Sequence, residues 1–352
     1  MKLNILSIIL LILFCFVFSC KDKKETTRHL IQIIDEKETV FSAGELVFKE
    51  DLMQFFDMYI TDSLVFLTSQ RNDSPITALS LKNFERVAEL GDRDQGPEGI
   101  DFPLFLKNLS RKGDVELLDL NRMSLMHIGY NFEKNRYTME KEMMPDSLWP
   151  SISMNKISDT LYFANGLEHF NKGLYFKWNK QTSIIKEWIP YYPETRKKYD
   201  EDVTPLYRNT ILANKEKGIV VSALTYFNRI VAFDFNGNIL KDIQIGKEAI
   251  EPVIEDFELL KFSDGAELFF LNVVGSDNYF YCLWNRSEIG LDKDKRKNSK
   301  IFVFDWDLNH VSTIQADQPL VAFDVEPYDR YFLGLFSDDE ADTSIYKFAI
   351  EL

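Results

Sequence analysis

The chain has 352 residues; it is 45% hydrophobic, 28% charged and 14% aromatic, with a formal net charge of −15 and three Cys. That apolar fraction belongs to a packed globule, which excludes disorder for the bulk of the chain, and three Cys exclude a disulfide-dense scaffold. The acidic balance excludes a nucleic-acid surface, since phosphate contacts rest on Lys and Arg, while the length admits two average domains or one large barrel- or propeller-like one.

Residues 1–19 decide the compartment. Lys2 is the only charge before position 20, and Ile5 to Phe18 is apolar except for Ser7 and Cys15. Such a run is too short to span a bilayer comfortably, where ~20 residues are needed, and it suits the apolar region of a secretory signal. It ends Val17-Phe18-Ser19-Cys20 and gives way at once to Lys21-Asp22-Lys23-Lys24-Glu25-Thr26-Thr27. A small residue before a Cys, then an abrupt polar run, resembles a bacterial lipobox. The resemblance implies cleavage before Cys20, lipidation of Cys20 and a membrane contact through that lipid. The alternative is an ordinary signal peptide or a short N-terminal anchor. Removing residues 1–19 takes away only Lys2, so the remaining chain carries −16. The expected division is a signal peptide over 1–19, a tether over 20–28 and a single domain over 29–352. Cys282 then stands alone inside Tyr279-Phe280-Tyr281-Cys282-Leu283-Trp284, where a small buried hydrophobe is the expected role rather than a nucleophile.

The body of the chain reads as repeated β units. Short apolar and aromatic runs are punctuated by Asp, Asn, Gly and Lys, the mark of many strands and tight turns. One pattern recurs, an Asp followed closely by a hydrophobic run. It begins at Asp62, Asp114, Asp159, Asp277 and Asp329, with Gly218 in place of Asp in a sixth copy. The intervals of 52, 45, 59, 59 and 52 residues predict an all-β, six-bladed propeller, whose blades are four-stranded sheets of ~40–50 residues. A second repeat aligns Ile230–Asn238 with Ile301–Asn309, and Leu118–Asn121 and Phe176–Asn179 resemble degenerate copies. Each is an alternating strand entering an Asx- or Gly-containing hairpin turn. The Asp of Phe233-Asp234-Phe235 is expected to be an outward polar residue rather than a metal ligand. The chain ends in a strand-like run, Ser344–Ile350, and an N-terminal strand is expected to complete the last blade, the run His29–Ile34 being the choice.

Leu90-Gly91-Asp92-Arg93-Asp94-Gln95-Gly96-Pro97-Glu98-Gly99 resembles a Gly-Gln-Gly-Pro turn of Bacteroidetes six-bladed propeller lipoproteins. From about Val40 to the C-terminus the chain looks like the TolB-like six-bladed propeller family. The further segments that carry the likeness are Trp188–Pro193, Ile230–Gly237, Ser276–Trp284, Ile301–Trp306 and Asp324–Phe348. The resemblance implies a lipid-anchored propeller of the bacterial cell envelope, at the outer membrane with its leaflet left open. It supplies no catalytic residues.

Little chemistry stands out. His29, His127, His169 and His310 are scattered outside any metal spacing, and there is no nucleophile elbow, phosphate loop or dinucleotide fingerprint. Asp200-Glu201-Asp202, Asp338-Asp339-Glu340 and the stretch Asp292–Lys300 read as solvated loops. Arg93, Gln95 and Glu98 could line one mouth of the ring and touch a ligand, or could satisfy a turn that Gly and Pro shape. No catalytic residue, no metal site and no cofactor is expected. Calcium remains open, because Asp and Asn oxygens suit a hard cation. The expected role is a binding or scaffold module for a protein, peptide or glycan, with a calcium-dependent hydrolase or lyase using the central channel as the alternative.

Overall fold

The computed structural model describes residues 31–352 except 36–38, 52–53, 71, 94–95, 97–98, 110–114, 132–135, 146–147, 149–152, 167–172, 190–203, 253, 257–260, 291–295 and 339–341. Three strands come first: β1 (Ile31–Ile34), β2 (Val40–Ser42) and β3 (Glu45–Glu50). Blade 1 follows as β4 (Phe55–Ile60), β5 (Leu64–Ser69), β6 (Ile76–Ser80) and β7 (Arg86–Leu90). Blade 2 is β8 (Pro103–Phe105), β9 (Val115–Asp119), β10 (Ser124–Asn131) and β11 (Arg136–Met143). Blade 3 is β12 (Met154–Lys156), β13 (Leu161–Asn165), β14 (Tyr175–Asn179) and β15 (Ile184–Ile189). Blade 4 is β16 (Asn209–Asn214), β17 (Ile219–Leu224), β18 (Arg229–Asp234) and β19 (Ile239–Ile245). A small ribbon of β20 (Ile254–Asp256) and β21 (Lys261–Phe262) leads to blade 5, β22 (Glu267–Gly275), β23 (Tyr279–Glu288), β24 (Lys300–Asp305) and β25 (His310–Ala316). Blade 6 has β26 (Ala322–Val325), β27 (Tyr331–Ser337) and β28 (Thr343–Ala349). These sheets form a six-bladed β-propeller with the first strand of each blade innermost.

The ring is closed by an N-terminal strand, but not by His29–Ile34. Antiparallel β3 completes blade 6 by pairing with β28, with Phe48 opposite Ile345 and Leu46 opposite Tyr346. Ile31–Ile34 instead lies parallel to β19 as a fifth strand of blade 4, and β2 does the same on β25 of blade 5. The reason is connectivity. A closing strand must run antiparallel to β28 and feed directly into β4, as the outer strand of each blade feeds the inner strand of the next. Glu50 stands five residues before Phe55, whereas Ile34 is twenty-one residues away. The upstream strands cover two further sheet edges.

Six apolar clusters sit between neighbouring blades, one at each junction round the ring. In β17, Ile219, Val221 and Ala223 face blade 5, while Val220 and Leu224 face blade 3. Both faces of such a strand are buried, which is why the sequence shows continuous apolar runs there rather than alternation. Cys282 is fully buried in the cluster between blades 4 and 5 and is a free thiol, its pKa pushed up by burial.

Polar stitches join the inner strands. Asp324 of β26 accepts from the Ile60 N–H of the next blade at 2.7 Å and from its own neighbour Val325 at 2.9 Å. Asp57 of β4 repeats the pattern with Phe105 N–H and Met58 N–H, both at 2.9 Å, and also holds the buried Lys107 ammonium at 2.7 Å. Asn155 of β12 receives Ala213 N–H at 3.2 Å and donates to Ile211 O at 2.7 Å in blade 4.

Candidate functional site

Connections in an antiparallel blade alternate between its ends. The first and third turns of every blade therefore share one face of the ring, and the second turns and blade-to-blade connectors share the other. Asp62, Asp159, Asp277 and Asp329, with Gly218 at φ +68°, occupy the first turns of their blades; Asp114 lies outside the described residues. The repeat that marks the blade period thus also marks one end of the central channel.

At that end is a cleft of about 710 Å³ to which all six blades contribute. Asp62 comes from blade 1, Asn108, Glu116 and His127 from blade 2, and Lys156 from blade 3. Blade 4 supplies Asn214, Lys215 and Glu216, blade 5 Ser276–Asn278, and blade 6 Pro327 and Tyr328. Its floor is the segment after β8. Asn108 bridges to Ala213 of blade 4, its carbonyl accepts from the Tyr59 hydroxyl of blade 1 at 3.0 Å, and Leu109 packs on the cluster between blades 4 and 5. A Cβ placed on Gly275 would stand 2.8 Å from both Leu109 and Leu212, so that position is kept small by the floor itself. A side groove of about 390 Å³ runs outward between blades 2 and 3 and shares Glu116, His127 and Lys156 with the cleft.

Glu116 organises the junction of the two. It accepts from Asn108 Nδ2 at 3.0 Å and from the Tyr162 hydroxyl at 3.3 Å, and it pairs with Lys156 Nζ at 3.5 Å. Burial first, and then the Glu116 charge, raise the Tyr162 phenol well above the ordinary range. Partial desolvation, and then the neighbouring Lys156 charge, hold the Lys215 ammonium below the ordinary lysine range. On the far side, Asp329 at φ +58° ties blade 6 to blade 5, accepting from the Tyr281 hydroxyl at 2.7 Å and Asn278 Nδ2 at 3.0 Å. Among the described residues no three of His, Cys, Asp and Glu gather closely enough to hold a metal ion.

Of the residues singled out from sequence, Cys20, Gln95 and Glu98 lie outside the described residues, as do His29, His169 and Asp200–Asp202. Arg93 follows β7 on the face opposite the cleft. Its guanidinium donates to Asn72 O and Asp101 O, each at 2.7 Å, and to Ser69 O. That is the geometry of a side chain that fastens a connector. Of the described histidines, His310 shares a hydrogen bond with Thr313 at 2.9 Å on β25 and His127 reaches the cleft. Asp338 caps its own loop by accepting Asp342 N–H at 2.9 Å. Asp234 does more than face outward: its two oxygens take Asn236 N–H, Asn238 N–H and Asn238 Nδ2 at 2.8–2.9 Å, and so close the third turn of blade 4. Asp305 does the same with Asn309 in blade 5, and Asn179 caps the third turn of blade 3. Leu118–Asn121 belongs elsewhere, at the second turn of blade 2, where Asp119 accepts Asp101 and Phe102 N–H. Sequence reasoning missed Asp62, Asn108, Lys156, Lys215 and Asp277 as site residues. The signal was the phase of the Asp repeat, because first turns converge on the channel mouth.

Fold and site together define a six-bladed propeller with a polar cleft at one mouth of its channel. The family described as TolB-like 6-blade propeller-like matches residues 35–327, and the chain belongs to it. No curated protein matches the sequence. A member of the DUF4221 family from Bacteroides vulgatus shares the fold at 12% identity and a TM-score of 0.54, covering 88% of this chain and 98% of that one. A candidate exported protein from Bacteroides fragilis does so at 10% identity and a TM-score of 0.55, covering 91% and 100%. U3-55K is similar at 9% identity and a TM-score of 0.50, covering 87% and 98%. At these identities the likeness concerns the fold alone.

Proposed function

We propose that the protein is an exported, lipid-anchored propeller of the bacterial envelope that binds a protein, peptide or glycan at the channel mouth. The observation that carries this reading is the cleft of about 710 Å³ lined by all six blades, with polar groups of both charges convergent on it. Export and anchoring are supported by the apolar run to Phe18 and by Ser19-Cys20 before a polar tether, and by the fold shared with a candidate exported protein of Bacteroides fragilis. The protein is to be screened against a glycan array and a displayed peptide library. Hits are expected whose binding falls about tenfold or more when Asp62 and Asp277 are both changed to Lys, since reversed charge at a mouth weakens and misdirects association. Hits indifferent to that double substitution would place binding elsewhere. Calcium held in the channel together with turnover of the hit would replace a binding role by a hydrolytic one.

A further inference from the structure

Charge is not spread evenly round the mouth. Blades 3 and 4 line it with Lys156 and Lys215, whereas blades 5, 6 and 1 line it with Asp277 and Asp62 and no Lys or Arg. Glu116 and Glu216 stand on the cationic side as well. Glu116 is committed to Lys156, Asn108 and Tyr162, and Glu216 follows Lys215 on the same exposed turn. Among the described residues Lys215, Asp62 and Asp277 make no ion pair of their own. Two lysines are thus held near one another on one wall, Lys215 within reach of the Glu116 and Asp159 charges but in no ion pair with either, facing carboxylates without ion-paired cations on the other wall.

We infer that the mouth takes a zwitterionic ligand, a short peptide with both termini free, whose carboxylate sits at Lys156 and Lys215 and whose ammonium sits toward Asp62 and Asp277. The inference rests on the mouth being the binding site. A polyanion such as an acidic glycan would meet four carboxylates in the cleft, Asp62, Glu116, Glu216 and Asp277, and a chain of net charge −15. A ligand carrying one charge of each sign is neutral overall and matches both walls. A cleft of about 710 Å³ lies within the size of small-ligand sites. Tyr328, 68% exposed at the rim of blade 6, has the Arg330 guanidinium over its ring at 5.4 Å and adds aromatic surface to the rim. Partial desolvation of the Lys215 ammonium strengthens any anion it meets.

The test is equilibrium dialysis of the full-length protein, in detergent, against a tetrapeptide library randomised at every position, read by mass spectrometry. The library is used with free termini, with an amidated C-terminus and with an acetylated N-terminus, and tetragalacturonate serves as an acidic-glycan arm. Free peptides should be retained, and each blocked form should bind about tenfold more weakly, the size of one lost charge-assisted hydrogen bond. Lys215→Gln should reproduce the loss caused by amidation and add nothing to it. Asp277→Asn should do the same for acetylation. Both residues lie on exposed turns, so unchanged thermal melts verify that the variants fold. Equal retention of the blocked peptides overturns the inference. Retention of tetragalacturonate without any peptide overturns it too, while leaving the mouth as a binding site; retention of neither removes both.

Discussion

Gly237 and Leu308 occupy one position of one turn in successive blades, with φ of +84° and +65°. Both follow an Asp that caps the turn, Asp234 and Asp305, and both precede an Asn that the Asp binds. What differs is the neighbour. A Cβ on Gly237 would stand 2.5 Å from Ile189 of blade 3, so glycine is required for space as well as for backbone angle. Leu308 is 6% exposed beside Trp306 and Phe304, and burying it offsets the cost of a left-handed residue. Gly237→Ala should therefore cost about 2–4 kcal/mol, strain plus overpacking, as a lowered urea midpoint. Two phenols act at the same scale. Burial first, and then the carboxylates of Glu116 and Asp329, raise Tyr162 and Tyr281 above the ordinary phenol value of about 10. Each folded-state pKa exceeds the unfolded one. Their contribution to stability is therefore complete below pH ~10 and is lost as pH rises beyond it. Thermal melts across alkaline pH should fall less steeply for a Tyr162→Phe, Tyr281→Phe double variant, and the part of the wild-type tyrosinate absorbance that the double variant lacks should appear only with unfolding.

Elements are joined by the inner-strand stitches as much as by apolar clusters. Phe56-Asp57-Met58, Phe323-Asp324-Val325 and Met154-Asn155-Lys156 are copies of one motif: an acid or amide on the innermost strand that reaches the next blade's backbone. An Asp on an inner strand looks in sequence like a break in an apolar run, so the motif is hard to recognise before the blades are aligned. Asp324→Ala removes the carboxylate that accepts from the Ile60 N–H at 2.7 Å and should cost about 1–3 kcal/mol. Asp57→Ala also leaves the Lys107 ammonium, whose side chain is 7% exposed, without its carboxylate. It should cost more, about 3–5 kcal/mol. Equal losses in denaturant melts would mean that Lys107 finds another partner. The closing strand shows a related limit. His29–Ile34 has the apolar content of a strand, but pairing is decided by which edge is open and how far the chain must travel, and on both counts β3 is placed to close the ring.

At the scale of the whole molecule, the ring places the mouth cleft and Arg93 on opposite faces, so the two candidate surfaces recognised by different arguments are separate. The lipid-bearing tether proposed for residues 20–28 would hold the protein at the membrane. Cys20→Ser should move the protein from the membrane fraction to the soluble one. Unchanged membrane association on fractionation would remove the lipid anchor from the account and leave the mouth untouched.

The sequence by itself determined the blade count and the all-β class, because strand-and-turn chemistry is local: an Asp or Gly must start each second strand, and apolar runs must fill both faces of a sheet buried between two others. It also carried the family resemblance and Cys282 as a core residue. Only the tertiary structure decided which strand closes the ring, that Arg93 spends its guanidinium on three carbonyls, and that Asp62, Lys156, Lys215 and Asp277 meet. These four come from four blades and are separated by up to 215 residues. No local pattern links them. They share a site because ring closure brings the first turn of every blade to one axis.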